Sequence, residues 1–330
     1  MAIKAHELSE FELIARYLAP LARKFPGALG LSDDAAVWTP AAGMDIVATC
    51  DAVVEGVHFT PDDPPDAIGR KALRVNLSDL AAKGAKPIAY LMTLALPQDL
   101  SEHWIPGFVA GLAADQAEFG VALAGGDTVM TPGPLWVSIT AFGEAPSGTM
   151  LRRAGAKPDD HLYVSGTIGD GLLGLLVVRG DIEGLSGVAR KYSANRYRIP
   201  QPRVRLGPRL IGVASAAMDI SDGLVADLGH LARVSGVAAV VEEALVPLSP
   251  AGRAAVKRHR ELLPRLLTGG DDYEILFSAP PSSEARIAAL AKEFVVPLTR
   301  IGTIKSGKGV TVLDPTGAPR SFEKAGWTHF

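Results

Sequence analysis

Aspartates recur in this chain where apolar runs or glycine turns end: Asp33-Asp34, Asp51, Asp79, Asp127, Asp219 with Asp222, and Asp271-Asp272. Glycine adjoins several of them, in Gly125-Gly126-Asp127-Thr128, Asp222-Gly223 and Gly269-Gly270-Asp271-Asp272. Glycine lets a backbone approach a ligand and take φ values closed to other residues, and the short aspartate side chain holds its carboxylate rigidly. Taken singly, each Asp reads as a cap or turn residue; Asp222 is placed to cap a helix starting near Leu224. The set reads differently. Asp-Ile-Ser-Asp-Gly-Leu at 219–224 puts two carboxylates three apart on a strand-to-helix turn. Two like charges about 4 Å apart repel by about 4 kcal/mol at an effective dielectric near 20, so several such turns brought together require cations. All-oxygen ligands favour Mg²⁺, which takes few carboxylates and leaves room for phosphate oxygens and water. A polyanion such as ATP joins such a cluster only with metals bridging it.

The standard nucleotide loops are missing. Gly302–Lys308 has the spacing of a Walker A loop, but Gly309 stands where the metal-binding Ser or Thr belongs. It also lies between two late strands, which makes it a hairpin turn. Gly166–Gly171 lacks Rossmann spacing. ATP, if bound, is held without either loop.

The elements that must position these residues follow from periodicity. Ser9 and Glu12 have capping-box spacing, and Phe11, Ile14, Leu18 and Leu21 share a helical face. Short strand-like runs follow at Ala35–Trp38 and Ile46–Thr49. A helix reads from about Asp66 to Lys83, with Leu73, Leu77 and Leu80 as its apolar stripe and Asn76, Asp79 and Lys83 on another face. Asn76 either orients Asp79 or is an ordinary polar surface residue. Next come strand Ile88–Leu96, helix Ser101–Phe119, strand Val121–Ala124 stopping at Gly125, and strand Leu135–Phe142. A turn-rich stretch at Gly143–Pro158 reads as a boundary. Beyond it lie strand Leu162–Ser165, helix Leu172–Val178, strand Ala217–Ile220, helix Leu224–Val234, strands Val237–Val241 and Tyr273–Phe277, helix Glu284–Phe294, and strands near Leu298–Ile301 and Val310–Leu313. Two α+β halves fit this order.

Composition limits the partners. The chain has 330 residues, enough for about two domains, and 48% are hydrophobic, enough for a real core. A formal net charge of −3 argues against a protein built to wrap nucleic acid. Cys50 is the one cysteine, which excludes an internal disulfide and a multi-Cys zinc site and makes a reducing cytoplasm the expectation. No apolar run reaches the roughly 18 residues of a membrane span. Met1–Leu13 carries His6, Glu7, Glu10 and Glu12 and lacks the apolar centre of a signal peptide. The segment 189–209 holds seven basic residues, from Arg190 to Arg209, and no acid. Its reading as a nucleic-acid patch yields, given the acidic balance and Pro200, Pro202 and Pro208, to a solvated or domain-bridging segment.

The blocks Ser32–Val37, Asp51–Phe59, Lys71–Ala82, Gly125–Thr128, Leu151–Ala156, Asp219–Leu224 and Gly269–Glu274, in this order, are similar to those of the thiamine-monophosphate kinase family, within the aminoimidazole ribonucleotide synthetase-like superfamily. The resemblance covers nearly the whole chain. It implies a two-domain α+β fold: residues 1–145 carry the ATP and Mg²⁺ site and pair with a second copy in a dimeric β-barrel, and residues 146–330 form the C-terminal domain. It implies transfer of the ATP γ-phosphoryl to thiamine monophosphate, giving thiamine diphosphate and ADP. The implied Mg²⁺ ligands are Asp34, Asp51, Asp79, Asp127, Asp219 and Asp222, with Thr49 and Cys50 also approaching metal. Gly126, Asp127, Arg153 and Ser221 fall at ATP; His58, Asp271 and Trp327 fall at the thiamine substrate. Departures from the family pattern are Ser32 for Gly, Cys50 for a hydroxyl residue, and Asp271 for Glu. A backbone carbonyl contact at Cys50 tolerates its change; a side-chain contact weakens one metal site.

The chemistry agrees with the resemblance. Phosphoryl transfer asks for positioning and charge neutralisation. The attacking oxygen belongs to a phosphate already ionised near neutral pH, so neither a covalent nor a general-base residue is expected. Arg153 offers a fixed cation on the ATP side. Trp327 suits either a lid over the core or a stacking contact on the thiazolium; His58 suits either packing or substrate contact. Rival readings fit less well. A selenophosphate-synthase-like enzyme needs a reactive Cys near the N-terminus. An aminoimidazole ribonucleotide synthetase fits the architecture but not the Asp51–Phe59 or 271–274 blocks. A Mg²⁺/nucleotide-sensing module does not explain the full set of ligand positions.

Overall fold

The structure, a computed structural model, describes residues 9–327; His6 and Glu7, which enter the signal-peptide reading, lie outside the described residues. Two compact units emerge, one containing the described residues through Leu80 with Ala85–Gly148, the other Ala81–Gly84 with the described residues from Thr149. No helix among the described residues is long and apolar enough to cross a membrane.

The capping box forms as its spacing predicts. The Ser9 N–H and hydroxyl both donate to Glu12 Oε2 at 2.8 Å, and the Glu12 N–H donates to Ser9 Oγ at 3.3 Å. The stretch behind it is broken, with α-helix at Glu10–Leu13, a π-helical piece at Ile14–Leu18 and α-helix at Ala19–Ala22. Pro20 has no N–H to return to the preceding turn. The break shifts the buried face, so Leu13, Leu18 and Leu21 are buried while Phe11 is exposed. The expected strand at Ala35–Trp38 is irregular chain. The Val37 N–H pairs instead with Gly27 O at 2.9 Å, and a Cβ on Gly27 would fall 1.7 Å from Val37 O.

The first unit contains strands β1 (Met44–Val54), β2 (Lys86–Pro97), β3 (Ala122–Thr131) and β4 (Trp136–Pro146), with helices α1 (Pro65–Ala82) and α2 (Trp104–Phe119). The sheet order is β1-β4-β2-β3, with only β2 and β3 parallel, as the crossover through α2 requires. β4 alternates buried and half-buried residues, so one sheet face packs and the other is open. Leu73, Leu77 and Leu80 of α1 are fully buried. β1 and β3 are free edges, so no closed barrel forms within the described chain. β3 does not stop at Gly125 but continues through Gly126 and Asp127. The register slips between Tyr90 and Leu91 of β2, and Gly126, at φ 153°, sits where a Cβ would fall 1.8 Å from Met92 O. The glycines therefore let the strand bulge rather than end it.

The second unit has the sheet β10-β7-β9-β5-β8-β6, from β5 (His161–Ser165), β6 (Ala216–Asp219), β7 (Ala238–Glu242), β8 (Ile275–Ala279), β9 (Leu298–Lys305) and β10 (Gly309–Leu313). Its helices are α3 (Asp170–Arg179), α4 (Gly187–Arg198), α5 (Leu224–Ser235), α6 (Pro250–Arg258), α7 (Leu262–Thr268) and α8 (Glu284–Phe294). Leu162, Leu228, Leu276 and Ile304 are fully buried members of one apolar cluster. The turn after β9 is not a hairpin, because β7 lies between β9 and β10 and pairs with both. The basic segment is not fully solvated. Its first half lies in α4, capped by Ser186 Oγ accepting from the Ala189 N–H at 3.2 Å, and buries Arg196 and Tyr197.

Candidate active site

Each unit gathers part of the expected set. In the first unit, Thr49 on β1 donates its hydroxyl to Asp79 Oδ2 on α1. Asp51, two residues on, shares the face of Thr49 because side chains alternate along a strand. Asn76 is fully buried; its Oδ1 accepts the Asp51 N–H at 3.1 Å and its Nδ2 donates to Ala72 O at 3.0 Å. Asn76 thus orients the backbone of Asp51 and is neither a partner of Asp79 nor a surface residue. Thr49, Asp51 and Asp79 form an all-oxygen set on one face, a donor chemistry that fits Mg²⁺.

The other expected ligands of this unit stand elsewhere. The Cys50 thiol points to the opposite sheet face, 3.7 Å from Ser138 Oγ. Asp34 lies in an exposed loop, its N–H held by Asp33 Oδ1 at 2.8 Å. Asp127 on edge strand β3 is exposed and aligned with Thr93, Ser138 and Ala52, one position out of step with the row of Asp51 and Gly126. Three strand spacings of about 4.8 Å separate β3 from β1. Among the described residues no group of three or more His, Cys, Asp or Glu side chains is close enough to hold a metal. His58 Nδ1 accepts the Val54 N–H at 3.1 Å, which leaves the proton of a neutral ring on Nε2. The buried Lys71 donates to His58 O at 2.7 Å and fixes that loop.

In the second unit the turn after β6 draws five expected residues together. Asp219 ends β6 and is buried. Ser221 O accepts the Asp271 N–H at 2.9 Å, and Asp222 O accepts the Trp327 N–H at 2.9 Å. The approach is close enough that a Cβ on Gly270 would fall 2.3 Å from Ser221 O. Asp271 takes a left-handed φ of 71°, and its Oδ1 accepts from Tyr273 Oη at 3.1 Å. The Trp327 side chain is 55% exposed. Arg153 is exposed, its carbonyl accepting from Ser235 Oγ at 3.2 Å, while the Arg152 carbonyl takes the Ala217 N–H of β6 at 2.8 Å.

Asp222 is not the cap of α5; the position before the helix is Gly223, at φ 119°. Asp227 in its first turn binds the loop before the helix instead. Asp227 Oδ2 accepts the N–H groups of Ser221, Asp222 and Gly223 at 3.0, 3.0 and 3.1 Å. Burial, with Asp222 nearby, pushes its carboxyl up to about 7. Asp272 is fully buried and accepts from the N–H groups of Gly169 and Gly171 at 2.6 and 2.9 Å; burial pushes it up to about 8. Glu274 is also buried, bonded to Arg203, to Arg196 Nη2 at 3.0 Å and to Ser165 Oγ at 2.6 Å. The sequence signal for Asp227 was an acid inside an apolar helix, a position that demands buried partners; Asp272 and Glu274 stand in irregular chain just before β8.

Comparison with known proteins covers nearly the whole chain. Residues 32–145 match the family model described as AIR synthase related protein, N-terminal domain, and residues 157–314 match its C-terminal domain. The chain is similar to the thiamine-monophosphate kinase of Caulobacter vibrioides, 43% identical over 97% of this chain and 91% of that protein. It is 36% identical to that of Escherichia coli strain K12, over 97% of this chain and 98% of the relative. Among solved structures, the thiamine-monophosphate kinase of Stenotrophomonas maltophilia aligns with a TM-score of 0.83 at 42% identity, covering 92% of this chain and 96% of that one. A structure described as AaThiL complexed with AMPPCP and TMP aligns with a TM-score of 0.78 at 30% identity, over 99% of both chains. The hydrogenase maturation protein HypE, at 21% identity and a TM-score of 0.78, shares the fold alone.

Proposed function

The chain belongs to the thiamine-monophosphate kinase family, and from that premise we propose a division of labour among its residues. The enzyme is a kinase that moves the γ-phosphoryl of ATP onto the phosphate of thiamine monophosphate, releasing thiamine diphosphate and ADP. It serves thiamine diphosphate synthesis. The observation that carries the assignment to this chain is 43% identity sustained over 97% of its length.

Thr49, Asp51 and Asp79 hold Mg²⁺ in the first unit, with Asp34 and Asp127 in further contacts, and Asp219 and Asp222 do so in the second. At Cys50 the backbone carbonyl is the group on offer, since the thiol turns to Ser138. When bound, Mg²⁺ neutralises the repulsion between the two phosphate compounds and stabilises the spread charge of transfer. Gly126, Arg153 and Ser221 bind ATP. His58, Asp271 and Trp327 bind thiamine monophosphate, the indole face lying against the thiazolium. The Thr49 hydroxyl and the Asn76 amide hold Asp79 and Asp51 in place before any ligand arrives, which is the preorganisation an electrostatic site needs. The acceptor is already an anion, so no side chain has to remove a proton.

Residues 1–145 make the nucleotide and dimerisation domain and residues 146–330 the C-terminal domain. The open face of the first sheet carries Ile46, Cys50 and Ala52 on β1, and the edges β1 and β3 are unpaired. A second copy laid on that face gives a dimeric β-barrel and covers both. The working compartment is the cytoplasm.

Removing every divalent cation from the full-length protein with a chelator tests the site. Thiamine diphosphate formation stops and returns with added Mg²⁺. Undiminished turnover after stripping contradicts the assignment of the aspartates.

A further inference from the structure

We propose that Asp227 is a positioning residue of this active site: its single oxygen Oδ2 fixes the Ser221–Gly223 loop and, through it, residues of both substrate sites. The proposal rests on the functional reading of Ser221, Asp222, Asp271 and Trp327. Three consecutive N–H groups, those of Ser221, Asp222 and Gly223, converge on this one oxygen at 3.0, 3.0 and 3.1 Å. Aiming three successive amides at one point sets the backbone of the turn more tightly than any single bond.

The carbonyls on the other side of the same peptides are then aimed outward. Ser221 O receives the Asp271 N–H and Asp222 O receives the Trp327 N–H, each at 2.9 Å. A buried carboxylate on α5 thereby determines where an ATP residue, a metal residue and two thiamine residues sit. Neighbouring contacts leave the turn little other freedom. A Cβ on Gly223 would meet Thr268 O at 2.6 Å, and one on Gly326 would meet Asp222 O at 2.7 Å. Asp227 itself is 2% exposed and belongs to the first turn of α5, where the helix dipole favours a negative side chain. It touches none of the reacting groups, so its influence passes through the loop.

Because all three bonds end on one oxygen, an amide oxygen can replace it and a methyl cannot. The test compares Asp227→Asn with Asp227→Ala in the full-length protein, using thermal unfolding, steady-state kinetics with ATP and thiamine monophosphate, and amide hydrogen exchange. Asp227→Asn is expected to keep KM for both substrates near the parent values. Asp227→Ala is expected to raise both KM values and lower kcat, a combined loss in kcat/KM on the order of 10- to 100-fold, as misplacement of positioned groups produces. In the Ala variant the amides of Ser221, Asp222, Gly223, Asp271 and Trp327 exchange faster while those of β8 do not. An Ala variant that loses kcat only in proportion to its unfolded fraction, with both KM values unchanged, overturns the proposal. So does an Asn variant as impaired as the Ala variant, or unchanged exchange at Asp271 and Trp327. The exchange readout needs no turnover, so it separates failure of this proposal from failure of the kinase assignment, which an inactive parent protein would signal.

Discussion

Thr49 on β1 donates its hydroxyl to the carboxylate of Asp79 on α1 and so joins a strand residue to a helix residue thirty positions away. The bond crosses the interface between the sheet and its covering helix, where Leu73, Leu77 and Leu80 are fully buried. Packing of an ordinary apolar helix stripe therefore carries Asp79 to Thr49 on β1, the strand that also bears Asp51.

Replacing Asp51, Asp79 or Asp127 by Ala is expected to lower phosphoryl transfer by at least about 100-fold, the scale of losing a group that stabilises developing charge. The fold survives, because Asp51 and Asp127 are exposed and Asp79 half-buried. Steady-state rates alongside circular dichroism check this. Rates within a few-fold of the parent protein in a folded variant would remove that residue from the metal set.

Cys50→Ser is expected to leave kcat/KM within about twofold, because the side chain faces Ser138, on the sheet face opposite Thr49 and Asp51. A marked gain on restoring the hydroxyl, measured at low Mg²⁺, would show that the side chain itself approaches metal.

Trp327→Ala is expected to raise KM for thiamine monophosphate several-fold, the size of a cation–π contact of about 0.5–2 kcal/mol, with a smaller effect on kcat. Its N–H bond to Asp222 survives the substitution, and a side chain 55% exposed contributes little to packing. An unchanged KM returns Trp327 to a structural role.

Asp272 gives a pH dependence of stability with a definite sign. Its carboxyl, raised from 3.8 to about 8, keeps a proton in the folded chain that the unfolded chain has already lost. The folded state therefore binds more protons between about pH 4 and about pH 8. This group's contribution is fully present below about pH 4 and is lost as the pH rises through about 8. Urea unfolding across that range reads the slope. Asp272→Asn loses one of two acceptors and lowers stability overall, yet flattens the slope by up to about 1.4 kcal/mol per pH unit. An unaltered slope would mean that Asp272 is ionised in the folded protein.

Much of the fold is legible in the sequence because its elements are long and periodic. Helix α8 runs over the predicted Glu284–Phe294, and the capping box at Ser9 and Glu12 forms bond for bond. The failures share a cause in contacts remote along the chain. Ala35–Trp38 has strand composition but pairs with Gly27, and β3 passes through glycines that normally stop a strand because β2 slips beside it. Short, charged α4 was invisible because its apolar stripe is thin and its buried Arg196 finds Glu274 far along the chain. For the site, Asp219 and Asp222 stand on a strand-to-helix turn as their spacing predicts. The direction of Cys50, the displacement of Asp127 to the opposite edge from β1, and the role of Asn76 depend on strand order and on pairing between remote elements, which no local pattern encodes.

The central claim is transfer from one phosphate to another, and phosphorus NMR of the full-length protein with ATP, Mg²⁺ and thiamine monophosphate reads it directly. The account predicts thiamine diphosphate and ADP growing in equal amounts as both reactants fall, with no orthophosphate. Orthophosphate and ADP with thiamine monophosphate untouched, or ligand binding with no new phosphorus signal from a folded protein, would contradict it.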